Sequence, residues 1–313
     1  MSDFVIIPDS ACDLSAELRE QLNIPDYLRG IVYCPDGTQM MADMDWKDIT
    51  PDEYFDSMNG RDDVLYKTAF SPVEEMERVL VPILEDGKDI LIVTLSSGIS
   101  GTYQASITVS KQLMEKYPGR KIICVDSLRY SQAIGVLLYW ANEKKKQGAT
   151  IEETAEYLNE LRHRVCQMGP LDNLLFCVKT GRISNMKAIL GTMVGVHCMA
   201  SFSRDGLPEI LGKVKGKQAA LRATFEYVKE TIVNPEEQVV FISHSSRYEY
   251  AKELAEKIRT EIKPKEVYIN SVGMSCGSSI GPGLIAVFYL GNEISKDNEK
   301  EKQLLQQIYK KVK

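Results

Sequence analysis

Hydroxyl and glycine groups cluster in a few turns of this chain, and such turns hold anions. In the first, the apolar run Ile90-Leu91-Ile92-Val93-Thr94-Leu95 passes directly into Ser96-Ser97-Gly98-Ile99-Ser100-Gly101-Thr102, which opens a helix. Glycine lets backbone approach a ligand, the first helical turn presents unpaired N–H groups, and the hydroxyls add donors. A phosphate and a carboxylate fit equally well. Three other pieces match: Thr68 ahead of a helix start, the turn Gly277-Ser278-Ser279-Ile280-Gly281-Pro282-Gly283, and Arg182, a fork-shaped anion ligand in Lys179-Thr180-Gly181-Arg182-Ile183-Ser184-Asn185. A competing chemistry makes Ser96, Ser97 or Ser100 a nucleophile toward an ester or phosphate, in the manner of a serine-dependent hydrolase. It lacks the G-x-S-x-G elbow, since Gly101 directly follows Ser100, and it lacks an evident histidine base.

Other chemistries are excluded by spacing. Gly206-Leu207-Pro208-Glu209-Ile210-Leu211-Gly212-Lys213-Val214 has one residue too many for a P-loop and Val where a magnesium-binding hydroxyl is required; no G-x-G-x-x-G follows a strand. The three histidines, His163, His197 and His244, lack metal-ligand spacing, so no metal site is expected. His163 in Arg162-His163-Arg164 reads as a solvated helix face, and His244 as a polar turn residue. Asp43, Asp45 and Asp48, interleaved with Met44, Trp46 and Lys47, read as a surface turn.

With 313 residues, 44% hydrophobic and 26% charged, the chain has material for two domains with cores. A net charge of -6 gives no global attraction to nucleic acid. Seven scattered cysteines, Cys12, Cys34, Cys124, Cys166, Cys177, Cys198 and Cys276, contain no C-x-x-C and read as reduced thiols. The N-terminus lacks a basic and apolar leader, and Ala188 to Phe202 is too short to span a bilayer. A cytoplasmic protein without integral membrane association is expected.

The elements that must position these turns alternate. Short β-type runs at Phe4–Ile7, Ile90–Leu95, Lys121–Val125, Val239–Ser243 and Glu266–Ile269 are mostly followed by helical segments, which predicts an α/β fold around largely parallel sheets. Thr50-Pro51-Asp52-Glu53, Ser71-Pro72-Val73-Glu74 and Thr150-Ile151-Glu152-Glu153 read as capped helix starts. Gln167-Met168-Gly169-Pro170 reads as a boundary. The expected division is an N-terminal α/β domain over 1–167 carrying the serine turn, a C-terminal α/β domain over 168–295, and a charged helix over 296–313.

The sequence resembles the DegV family, whose members include fatty-acid-binding subunits of bacterial fatty acid kinase. The resemblance is carried, in order from residue 3 to about residue 290, by Asp9-Ser10 with Asp13-Leu14, Thr68, Ser96 to Gln104, Asp126-Ser127, Gly181-Arg182-Ile183-Ser184, Leu211-Gly212-Lys213-Val214-Lys215-Gly216-Lys217 and Gly281-Pro282-Gly283. It implies two α/β domains enclosing a long-chain fatty acid at or near their interface. It also implies a carboxylate site of Thr68, Ser96, Ser97 and Gly98, with Ser279 beside it. Neutral donors suit that ligand, because they avoid burying a full counter-charge. At ~0.8 kcal/mol per buried CH₂, a chain of about fifteen methylenes gains on the order of 12 kcal/mol before entropy costs.

The resemblance further implies a separate kinase that phosphorylates the carboxylate while the lipid stays bound, so this chain has no catalytic centre or cofactor of its own. Arg182, Lys213, Lys215 and Lys217 match the basic residues expected at the docking face. Some residues of Ala188-Ile189-Leu190-Gly191-Thr192-Met193-Val194 and Leu284-Ile285-Ala286-Val287-Phe288 are expected to line the acyl tunnel, although their periodicity is that of ordinary core. Three departures stand out: Ser279 near the Gly-Pro-Gly turn in place of the common histidine, His197-Cys198 in place of Lys-Pro, and Ala69 in place of serine. The first keeps a donor but drops a titratable group. That leaves room for a diverged lipid sensor without a kinase partner.

Overall fold

A computed structural model describes residues 3–61, 63–183 and 195–312. Twelve strands run through them: β1 (Phe4–Pro8), β2 (Ile31–Tyr33), β3 (Gln39–Met41), β4 (Lys67–Ala69), β5 (Asp89–Thr94), β6 (Ile122–Asp126), β7 (Val165–Leu171), β8 (Val196–Phe202), β9 (Pro208–Lys215), β10 (Val239–His244), β11 (Glu266–Ser271) and β12 (Ile285–Leu290). The fold is mixed α/β.

In the first unit, β1, β5 and β6 form a parallel sheet in the order β1-β5-β6. Central β5 is buried along its whole length, which is why Ile90-Leu91-Ile92-Val93 reads as a continuous apolar run. One face packs on the Val73–Glu85 and Thr102–Lys116 helices through Met76, Leu80, Val109 and Leu113, each at most 4% exposed. A small antiparallel sheet, β3-β2-β4, carries Thr68 opposite Val32.

The second unit departs from the parallel expectation. Its six strands run β11-β10-β12-β7-β8-β9; only β10 and β11 are parallel, and the remaining neighbours are antiparallel. Strands β7, β8 and β12 carry little of the alternation or punctuation that marks a strand from sequence alone. Gln167-Met168-Gly169-Pro170, expected as a boundary, lies inside β7, where Gly169 pairs with Ala200 and Pro170 with Met199. The cut at 167/168 therefore divides a strand, and β7 belongs entire to the second sheet. Glycine is required there because a Cβ on Gly169 would stand 1.8 Å from the Ile285 carbonyl oxygen of β12.

The helix over Glu299–Val312 docks rather than dangling: Leu305 and Ile308, each 2% exposed, join Met199, Leu211, Val214 and Tyr227 in one apolar cluster. Thr50 and Thr150 form the expected capping boxes with Glu53 and Glu153. Ser71 does not cap its helix. That helix begins at Val73 with Pro72 at the cap position, and the buried Ser71 hydroxyl is left without a partner. Asp43 is no surface residue either; its buried carboxylate accepts from the Tyr27 hydroxyl at 2.6 Å and from the amides of Asp45 and Lys47. His163 is half-buried, not a solvated face, and its Nδ1 has no partner. Among the described residues no helix is long and apolar enough to cross a membrane.

Candidate functional site

The serine turn is held by groups at the ends of all three parallel strands. Just past β1, Asp9 accepts from the Ala11 amide at 3.0 Å with one carboxylate oxygen and from the Leu95 amide at 2.8 Å with the other. At the end of β6, Asp126 accepts from the amides of Ser97 and Leu128 at 3.1 and 3.0 Å. Burial pushes the Asp9 carboxyl up to about 6, against the two backbone amides that favour its charge. The Asp13 carboxyl, beyond the same strand, is pushed up to about 7 by burial, with the Ser131 hydroxyl donating to it at 2.5 Å.

Of the serines in the turn, Ser100 is the one that reaches the wall of the adjacent cleft. Ser96 is fully buried; its hydroxyl donates to the Gly206 carbonyl at 2.7 Å and accepts from the Gly98 amide at 3.2 Å. It fastens the β8–β9 turn of the second unit onto the serine turn of the first. Gly206 has φ +78, and a Cβ there would sit 2.3 Å from the Ser96 oxygen, so both glycine and serine are needed for this contact. Ser97 is exposed, and Gly98 is turned against Gly206 and Leu207.

Ser96, Ser97 and Gly98 are absent from the wall of the adjacent cleft, which Ser100, Gly101 and Thr102 line instead, together with Thr68, Ser71, Ser279 and Arg182. Ser100 accepts from the Thr102 amide at 3.2 Å and shares a hydrogen bond with its hydroxyl at 2.8 Å, organising the first turn of the Thr102–Lys116 helix at the cleft. Thr68 has no hydrogen-bond partner for its hydroxyl among the described residues, and the Ser71 hydroxyl has none either. Asp9 and Arg182 are the charged side chains in this wall. Ser71 went unrecognised because a serine before Pro-Val-Glu looks like a helix cap; its place in the same cleft wall as Ser100 is visible only in the fold.

Beyond the cleft lies an apolar cavity against the second sheet, walled by Leu171, Leu174, Phe202, Ile210, Leu284 and Phe288 among others. Ile99, Tyr130, Arg182 and Ser279 line both spaces, so the polar cleft and the apolar cavity share one neck. At that neck the Tyr130 and Ser279 hydroxyls lie 2.8 Å apart, Tyr130 donates to the Cys276 carbonyl at 2.7 Å, and the Tyr130 ring stacks on Phe202 with centroids 5.6 Å apart. Of the two segments expected to line a tunnel, Leu284, Ala286 and Phe288 do reach the wall. Ala188 to Val194 lie outside the described residues, as do Ser184 and Asn185.

No histidine lines either space among the described residues. His197 pairs through Nδ1 with Asp172 at 2.7 Å, and Arg247 completes that cluster at 2.8 Å. Burial pushes the His244 imidazole down to about 4. Lys213 and Lys215 are exposed on β9 opposite Cys198 and Val196, while the Lys217 ammonium stands 4.5 Å over the Tyr250 ring. No group of residues able to hold a metal occurs among the described residues.

The family model described as an uncharacterised protein, DegV family, matches residues 3–292. A DegV domain-containing protein of Clostridium perfringens is 33% identical over 296 residues, 93% of this chain and 99% of that one. Among solved structures, a DegV lipid-binding protein of Thermotoga maritima has a TM-score of 0.80 at 23% identity, covering 93% of this chain and 99% of that one. The Streptococcus pneumoniae fatty acid kinase B3 protein loaded with linoleic acid has a TM-score of 0.77 at 20% identity, covering 93% and 100%. Likeness at that identity carries the fold, and the sequence match over nearly the whole chain carries the kinship: this protein is a member of the DegV family.

Proposed function

We propose that this protein sequesters one long-chain fatty acid, with its carboxylate in the polar cleft and its tail in the apolar cavity, and offers the carboxylate to a fatty acid kinase. The observation that carries this reading is the shared neck: a polar cleft adjoins a hydrocarbon-lined space across Ile99, Tyr130, Arg182 and Ser279, the juxtaposition an amphiphile with one anionic end requires. Thr68 and Ser100 supply hydroxyl donors to the carboxylate, Ser279 stands at the neck, and Arg182 supplies the positive charge. Ser96, Ser97 and Gly98 shape the turn that presents them.

In this reading the chain is a binding subunit without a catalytic centre, working in the cytoplasm where its seven free cysteines stay reduced. Arg182 with the exposed Lys213 and Lys215 forms the basic face for the kinase, and Lys217 borders it on Tyr250. The fold likeness to the pneumococcal kinase protein loaded with linoleic acid supports both ligand and partner.

Mass spectrometry of lipid extracted from the purified protein, beside the mass of the intact complex, tests the proposal. One long-chain fatty acid per chain is expected. Protein that is free of lipid and takes up no added fatty acid would sink it and return the cleft to a phosphate or ester.

A further inference from the structure

The hydrocarbon cavity has a polar group in its wall that a plain acyl chain leaves unanswered. Gln167, on β7, lines the cavity as the direct cross-strand neighbour of Phe288. It is 9% exposed, its Oε1 is buried without a partner, and no described residue hydrogen-bonds to its carboxamide. Of the other polar side chains that reach this wall, the small Ser201 hydroxyl also has no partner among the described residues, while three more are committed. Ser131 donates to Asp13, Ser279 is paired with Tyr130 and the Cys276 carbonyl, and Glu209 pairs with Lys302 at 3.3 Å.

A buried amide without a partner carries a desolvation penalty that leucine or methionine would avoid at the same volume. The carboxamide offers an acceptor and a donor side by side. An alcohol group on the ligand satisfies both, donating to Oε1 while accepting from Nε2. We propose that the ligand selected by this cavity is a hydroxylated long-chain fatty acid, whose chain hydroxyl is received by Gln167. The inference rests on the fatty-acid reading above and goes beyond it by naming the chemical class of the tail. Discrimination comes from both sides: the hydroxyl is costly to bury elsewhere in the cavity, and the carboxamide is costly to leave facing a methylene.

The test uses delipidated full-length protein. Affinities are measured by displacement of a fluorescent fatty acid for matched pairs: oleic against ricinoleic acid, and stearic acid against positional isomers of hydroxystearic acid. Wild type, Gln167→Leu and Gln167→Met are compared, with thermal melts confirming that the variants fold. The expected result is that at least one hydroxylated acid binds wild type about tenfold more tightly than its parent. Both variants should lose that preference while binding the parent acids undiminished. Equal binding of every matched pair to wild type overturns the inference, as does a hydroxyl preference that survives in Gln167→Leu. A gain in oleic acid affinity on Gln167→Leu without any hydroxyl preference also overturns it, assigning the carboxamide to an enclosed water. The parent acids serve as the separate control on the underlying reading: if wild type binds none of the acids, both proposals fall, whereas parent binding without a hydroxyl preference leaves the fatty-acid reading standing and removes only this one.

Discussion

The polar cleft and the apolar cavity meet at one neck but are built by opposite means. Most of the cleft's hydroxyl donors come from loops at the ends of β1, β4 and β5 and from the start of one helix, each a short stretch with its own turn chemistry, with Tyr130, Arg182, Ser275 and Ser279 added from farther along the chain. The cavity is walled largely by the face of an antiparallel sheet, with contributors from β7, β8, β9 and β12 that are far apart in the chain. An anion is recognised by a few donors placed in sequence-local turns. A tail is recognised by area, which only the assembled sheet supplies.

The difference is sharpest if each side is altered alone. Filling the cavity should have the largest effect: Ala286→Phe, on the wall, should lower long-chain fatty acid affinity about a hundredfold by denying room to several methylenes at ~0.8 kcal/mol each. Short-chain acids, read by the same displacement assay, should lose less. On the polar side, Thr68→Val and Ser100→Ala each remove one donor and should weaken binding about tenfold for all chain lengths alike. Chain-length dependence in those variants would contradict the division of labour.

Two smaller effects separate scaffold from contact. The buried Asp13 carboxyl, raised from 3.8 to about 7, holds its proton longer in the folded than in the unfolded chain. Its contribution to stability therefore falls as pH rises through that window, and Asp9, raised to about 6, acts with the same sign. His244, lowered to about 4, acts oppositely below its ordinary value, so the informative quantity is the difference between wild type and Asp13→Asn. Melting temperatures at about pH 5 and about pH 8 should converge in that variant relative to wild type. Smallest of all, Ser96→Ala should lower stability by about 1 kcal/mol through the lost bond to Gly206, visible in denaturant melts, with less effect on lipid affinity than Ser100→Ala.

The expected strands at residues 4, 90, 121, 239 and 266 all appear, within a residue or two at their ends. Of these, β5 and β10 are buried along their whole length, and burial on both faces leaves a plain apolar signature. Strand β7 was hidden because Gly169-Pro170 looks like punctuation; the glycine answers instead to a carbonyl of β12 more than a hundred residues away. The serine turn was legible as a strand-to-helix turn rich in donors, yet which serine lines the cleft was not. Ser96, Ser97 and Ser100 are chemically identical; the Gly206 carbonyl takes the Ser96 hydroxyl, Asp126 holds the backbone amide of Ser97 while its side chain stays exposed outside the cleft wall, and Ser100 lines the cleft.

By itself the sequence determined the family, the α/β class, the capped helices at Thr50 and Thr150 and the turn that opens the Thr102–Lys116 helix, because each is written in residues close together along the chain. Only the tertiary structure decided that the second sheet is largely antiparallel, that Ser100 and Ser71 stand in the cleft wall, and that Gln167 faces a hydrocarbon cavity without a partner. Local backbone chemistry is encoded within a few residues, whereas the surroundings of a side chain are set by elements that meet only after the chain has folded.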